Sequence, residues 1–291
     1  MGEIAAIANA VVWALTGVVT KGLGKKVSPI QIVAFQSWIA LGLFGLIGLL
    51  FSQVDELFRA PLRSVLLLAA GAFINTIGSI IFWMAIARGK VSSVYPTTQS
   101  VFILVSMLAA WLLLGDTPRA GVIFGAALII GGVLLLNRQT ADGKFGKRQQ
   151  NDYIAISLAV ATSLLWAGGF ITTVVGLEDT RPLPAAMIRI LVPSALFLVL
   201  SMLVPSTRIN RVFKGNEIRL TVSALLFAFS ALSFVFALGN ASPGVVVLLI
   251  NTSPMFAVIF AVIALGERLT LHVILGSVCS LLGIFAVLAF R

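Results

Sequence analysis

Cysteine and histidine are nearly missing from this sequence. Cys279 and His272 are the sole examples of each, which excludes an internal disulfide and a Cys-based metal site. Charge is scarce as well, at 10% of residues, and only ten side chains are acidic. They are Glu3, Asp55, Glu56, Asp116, Asp142, Asp152, Glu178, Asp179, Glu217 and Glu267, all between the apolar stretches or at their ends. No carboxylate is therefore expected at mid-membrane depth, where one would neutralise a bound cation or relay protons. That disfavours a cation/proton exchanger built on a buried acid. The apolar stretches also lack a convergent nucleophile, acid or metal ligand, so no enzyme chemistry, metal or cofactor is expected. There is no low-complexity tract and no separate enzyme module.

What fills the chain is hydrocarbon: 59% of residues are hydrophobic and mean hydropathy is +1.10. A water-soluble domain is excluded. Stretches of about 20 apolar residues, enough to cross a bilayer as helices, follow one another with short polar breaks. Ten are expected, at roughly 4–22, 30–52, 62–86, 92–114, 119–137, 153–175, 184–204, 217–239, 242–264 and 271–290. The opening MGEIAAIANA has no basic segment, and no cleavage signal follows it, so it is expected as the first span. The longest connection, 138–152, carries Arg138, Lys144, Lys147 and Arg148 and separates 1–137 from 153–291.

A net charge of +10 invites a nucleic-acid reading. In a membrane chain it reports orientation instead, because loops rich in Lys and Arg stay cytoplasmic. Loops after the first, third, fifth, seventh and ninth stretches hold fourteen of the twenty Lys and Arg residues, the opposite side five. The rule places the basic central loop in the cytoplasm and both termini outside.

The sequence also repeats itself. Trp13 in VVWALTG returns 153 residues later as Trp166 in LLWAGGF. Pro29 precedes Gln36 by seven residues, and Pro182 precedes Arg189 likewise. Leu114-Gly115-Asp116 returns as Leu265-Gly266-Glu267, and Gly125 and Gly132 return as Gly276 and Gly283, at an offset of 151. Five spans per copy is an odd number, so the second copy must enter the membrane from the opposite side. Such inverted repeats place a substrate site near their common axis. The alternative is a duplicated scaffold that transports nothing.

Polar and aromatic residues fall on single helical faces. Asn9 and Trp13 share one with Thr16 or Gly17, and Trp166 shares one with Thr162 and Gly169 or Phe170. Asn75, Ser79 and Trp83 make a third, with Phe82 beside Trp83. Tyr95, Thr98, Gln99 and Phe102 make a fourth, Ser230 pairs with Phe234, and Asn251 lies in NTSPMF. Buried polar groups are costly in hydrocarbon unless paired, so these faces should point inward. Aromatic walls with uncharged donors and acceptors suit a small ligand with a polar head and an apolar tail. The competing role is glue between helices. Trp38 and Trp111 are candidate interfacial anchors.

Pro96 and Pro254 fall inside spans as static kinks or as hinges at the cavity. Gly42, Gly45 and Gly48 form a stripe suited to helix contact, and the paired glycines of the last helix in each half suit a scaffold at the bundle edge. Arg189, about one and a half turns into its span, can grip a substrate carboxylate with its planar fork. Snorkelling, or bonding to helix-end carbonyls in support of the fold, is the preferred reading.

These residues resemble the drug/metabolite transporter superfamily, in its ten-helix EamA-type form. The resemblance runs over nearly the whole chain in two copies, through the tryptophans, the proline-to-Arg spacing and the Leu-Gly-acid turn. Two departures are Asp116-Thr117-Pro118 in the first copy and Gln36 where the second has Arg189. An Arg at that position is widespread in the family across substrates, which favours its structural role. The chain is most similar to the aromatic amino acid exporter branch. That implies two four-helix bundles around a central cavity, with the fifth helix of each half peripheral. It lacks the helix-1 glutamate of the small drug exporters, since Glu3 is too near the terminus.

The expected protein is an all-α polytopic membrane protein with ten spans in two inverted five-helix repeats. It is expected to export neutral and aromatic amino acids from a bacterial inner membrane by alternating access. Its partners would be an amino acid and the lipid bilayer, without nucleic acid, and it would work as a monomer. Gln36 joins the facial residues as a candidate substrate contact. Export of another small metabolite or an amphipathic drug is the rival.

Overall fold

The computed structural model describes residues 1–23, 27–114, 120–138, 147–204, 214–241, 243–266 and 270–290. Among the described residues every regular element is helical. In chain order they are α1 (Gly2–Lys21), α2 (Pro29–Leu50), α3 (Val54–Arg59), α4 (Leu62–Arg88), α5 (Val91–Leu114) and α6 (Ala120–Arg138). The second half follows with α7 (Lys147–Gly176), α8 (Pro182–Leu203), α9 (Glu217–Asn240), α10 (Pro243–Ile250), α11 (Ser253–Leu265) and α12 (Leu271–Ala289). Six of them (α1, α2, α4, α7, α8 and α9) are long and apolar enough to cross a membrane, and shorter apolar helices accompany them. Large apolar side chains such as Leu49, Phe58, Leu203 and Ile263 face outward. In water that surface would be a liability; in lipid it is the expected exterior.

Local chemistry sets several helix ends. Ser28 accepts from the Gln31 amide while the Gln31 side chain accepts from the Ser28 amide, a capping box, with Pro29 in the first turn of α2. Gly266 ends α11 in the left-handed region, at φ 64°, which accounts for the glycine of its Leu-Gly-Glu turn. Gly115, Asp116, Glu267 and residues 139–146 of the central connection lie outside the described residues. α7 begins at Lys147, within the connection expected at 138–152. The Lys-Arg-Gln-Gln run there is made of good helix formers, which carry the helix beyond its apolar part.

The expected span at 242–264 is two helices, α10 and α11, parted at Asn251-Thr252. Asn251 donates to the Val247 carbonyl at 2.6 Å and Thr252 to Leu249 at 2.7 Å, turning the chain locally, and Pro254 lies in the first turn of α11. Pro96, by contrast, sits inside the continuous α5. A third intrahelical proline, Pro193 in α8, escaped the sequence reading.

α4 packs along α7, α1 along α9, and α6 along α12. Gly125, Gly132, Gly276 and Gly283 are buried in the α6 and α12 pair, apart from the cavity. The Gly42-Gly45-Gly48 stripe is not a seam: Gly42 and Gly45 face open space, and Gly48 alone meets Met187 and Val54. The tight seam is α4 against α7, where Gly71, Gly78 and Gly169 leave room for Thr172, Trp166 and Asn75 respectively.

Candidate functional site

A cavity of about 210 Å³ opens between the two halves. α1, α2, α4 and α5 supply one side, and α7, α8, α9 and α10 the other. Of the residues singled out in sequence, Asn9, Trp13, Asn75, Ser79, Gln99, Phe102, Trp166, Phe170, Arg189, Ser230 and Phe234 line it.

Its aromatic wall is built around Trp13. That ring stacks on Phe82 at 5.4 Å and meets Trp83 at 5.5 Å, Trp166 at 5.6 Å and Tyr95 at 6.3 Å. Phe82, Trp83 and Tyr95 are fully buried behind it, so the cluster extends from the cavity wall toward the α4–α5 turn. Phe170 continues the wall on the other side, 5.8 Å from Phe102 and 6.3 Å from Phe234.

The polar groups differ in how far the protein already uses them. Asn9 donates to the Ser230 carbonyl at 2.7 Å and to its hydroxyl at 2.9 Å, tying α1 to α9. Thr162, which holds the place of Asn9 in the second half, donates to the Gly78 carbonyl at 3.4 Å. Thr76 and Ser37, also in the lining, bond to carbonyls of their own helices. Asn75 lays its buried Oδ1 against Gly169, leaving Nδ2 as the end that faces the cavity. Among the described residues, the Ser79 hydroxyl and the Gln99 amide have no hydrogen-bond partner, and both line the space.

Arg189 departs from the preferred sequence expectation, since it neither snorkels outward nor bonds a helix-end carbonyl. It lines the cavity, donates to the Thr173 hydroxyl and lies over the Phe234 ring, 5.6 Å from its centroid. Its counterpart Gln36 is excluded from the cavity, being 1% exposed and donating to Ser223 Oγ at 2.8 Å.

Four further candidates are also buried away from the lining. Tyr95 donates its hydroxyl to the Trp13 carbonyl at 2.7 Å, through room left by Gly17. Thr98 bonds to Val94 of its own helix, Asn251 to Val247, and Trp83 sits inside the aromatic cluster. Pro96 and Pro254 are buried outside the lining, whereas Pro193 and Ile250 belong to it. Trp38 is no interfacial anchor: its indole donates to the Ser194 carbonyl at 3.1 Å, joining α2 to α8. The side chain of Trp111 lies outside the described residues. Pro193 and Thr76 were legible in sequence, as a proline within an apolar run and a hydroxyl beside Asn75. The apolar lining residues Phe44 and Phe227 carried no signal that separates them from lipid-facing neighbours.

The model of the EamA-like transporter family matches this chain twice, over residues 1–138 and 153–289. The chain belongs to the EamA-like transporter family. It is similar to the "Probable terminal-alkyne amino-acid exporter" of Streptantibioticus cattleyicolor, with 29% identity over 147 residues. That match covers 50% of this chain and 46% of the relative, about half of its length. A solved crystal structure shares the fold at TM-score 0.67 and 16% identity, covering 98% of this chain and 95% of the other. Membership makes this a multi-pass membrane protein, and among the described residues no acidic, Cys or His cluster suited to a metal accompanies the cavity.

Proposed function

We propose that this protein exports neutral and aromatic amino acids with broad specificity across the bacterial inner (plasma) membrane. The observation that carries the reading is a cavity walled by both halves, with tryptophans from corresponding positions in contact in its lining. Ring faces give apolar side chains a surface, and the uncommitted amides of Asn75 and Gln99 with the Ser79 hydroxyl suit a polar head. A volume of about 210 Å³ exceeds the roughly 150 Å³ that admits a benzene. It falls below the range of about 300–1,000 Å³ usual for drug-sized ligands, which favours an amino acid over a bulky drug. The name of the Streptantibioticus relative supports the same solute class.

In this reading ten spans form two inverted five-helix repeats, α10 and α11 together making the ninth. The packing supports it: exchanging the halves turns the α4–α7 pair into α9–α1, and maps α2–α8 and α6–α12 onto themselves. Alternating access follows if one half rocks against the other around the cavity. The protein acts as a monomer, without chemistry on the solute.

The test is reconstitution into liposomes with radiolabelled alanine, leucine and phenylalanine, with and without a pH gradient. Counterflow of all three above empty liposomes is expected. Movement only of a different metabolite or an amphipathic drug would replace the amino acid reading, and no movement of any solute would remove it.

A further inference from the structure

Among the described residues, Arg189 is the charged residue in the cavity wall, and no Asp or Glu lines that wall beside it. A guanidinium has five N–H donors. Here one protein acceptor is engaged, the Thr173 hydroxyl, and one face is covered by Phe234. Among the described residues Arg189 forms no ion pair; the side-chain pair that occurs, Arg181 with Glu56 at 2.6 Å, joins α3 to the start of α8, eight residues before Arg189. Thr173 is itself committed, donating to the Gly169 carbonyl at 2.6 Å. The contrast with Gln36 sharpens the point, since that side chain is turned into the protein and held there by Ser223. At matching positions of the two halves, one polar group is turned inward and donates to Ser223, and the other is a cation without a counter-charge facing the solute space.

An uncompensated buried charge is costly, and an arriving anion removes that cost. A carboxylate matches the guanidinium fork in shape and charge. Among the described residues of the wall an ammonium finds no counter-charge, only neutral groups, ring faces and the like charge of Arg189. We infer that the cavity selects amphipathic carboxylates through Arg189, and that the amino group of an amino acid is dispensable for binding. Aryl and alkyl carboxylates without an amine therefore belong to the solute class, and amines without a carboxylate do not. This inference rests on the cavity being the solute site of the proposed exporter.

The experiment is calorimetric titration of the purified full chain in nanodiscs with phenylalanine, 3-phenylpropionate and phenethylamine, each alone. The expected Kd of 3-phenylpropionate is close to that of phenylalanine, and that of phenethylamine is weaker by about tenfold or more, the usual size of a lost charge-assisted hydrogen bond. Arg189→Gln should weaken both carboxylates by a similar factor while leaving phenethylamine unchanged, and Arg189→Lys should weaken them less. Size-exclusion behaviour and near-ultraviolet circular dichroism check that the variants fold; if Arg189→Gln does not, the wild-type series alone decides. Phenethylamine binding as tightly as 3-phenylpropionate overturns the inference, as does a folded Arg189→Gln protein with unchanged affinity for phenylalanine. Either result, alongside counterflow of amino acids, leaves the exporter reading standing. Binding of 3-phenylpropionate without binding or counterflow of any amino acid upholds the carboxylate selection and removes the amino acid reading instead.

Discussion

Trp13 and Trp166 meet edge to face, their ring centroids 5.6 Å apart and their planes at 66°. One comes from each half of the chain, at corresponding sequence positions, so the contact brings the two family-model matches together at one point. Both rings also line the cavity. Edge-to-face geometry sets the positive rim of one ring against the negative face of the other and leaves part of each surface open to a third apolar group.

Replacing Trp13 or Trp166 by Ala should weaken transport of phenylalanine more than that of alanine. Ring contacts contribute about 0.5–1.5 kcal/mol beyond burial, so the ratio of the two rates should shift by up to roughly tenfold. Liposome counterflow with paired labels measures that ratio. Equal loss of both solutes in a folded variant would mean that the rings serve packing alone.

The tryptophans were legible because they head a repeated motif, and Asn75 with Ser79 because a spacing of four residues puts both on one helical face. The same logic misassigned Tyr95 and Thr98. They share a face with Gln99, yet a buried helix face can point at a cavity or at another helix, and spacing does not separate the two. Gly17, a full turn beyond Trp13, decides the matter for Tyr95 by letting its hydroxyl reach the Trp13 carbonyl. Ser223 decides it for Gln36 from the opposite half of the chain. Such long-range pairings are invisible to periodicity. The break at Asn251-Thr252 was half visible: Pro254 announced a disturbance, while its form depended on side chains that bond back to their own helix.

Gly17→Ala should destabilise the protein by about 1–3 kcal/mol, because the new methyl group would meet the Tyr95 ring and hydroxyl. Tyr95→Phe alone should cost about 1 kcal/mol through the lost bond to the Trp13 carbonyl. Since that change also removes the closest clash, the double variant should be less destabilised than the sum of the two. Thermal unfolding in detergent tests this, and strict additivity would show that the two residues do not press on each other.

The asymmetry of Lys and Arg between the two sets of loops predicts a cytoplasmic central loop and external termini. In a Cys279→Ser background, Ala141→Cys should resist a membrane-impermeant maleimide in intact cells and react after permeabilisation. Arg59→Cys, at an exposed position in α3, should react from outside without it. The opposite pattern would reverse the assignment of both termini.

Among the described residues, the cavity lining contains neither a carboxylate nor a histidine. Counterflow of phenylalanine should therefore persist without a proton gradient and change little between pH 6 and 8. Abolition of counterflow when one loop acid is neutralised, in a protein that still folds, would mean that a carboxylate outside the cavity is indispensable.

Asn75 and Gln99 present amide groups that the protein leaves uncommitted on the cavity side. A polar head common to all amino acids would use them, whereas the side chain that distinguishes one amino acid from another would not. Asn75→Ala and Gln99→Ala should thus slow alanine, leucine and phenylalanine to the same degree, in contrast to the tryptophan variants. A neutral hydrogen bond contributes about 0.5–1.5 kcal/mol, which sets the expected loss at up to roughly tenfold in apparent affinity for each variant. Gln99→Asn, which keeps the amide but withdraws it by one methylene, should fall between wild type and Gln99→Ala. The decisive measurement is counterflow across the three solutes in the same preparation. A loss confined to phenylalanine would place Gln99 beside the ring instead of the head and invert the orientation of the solute in the cavity.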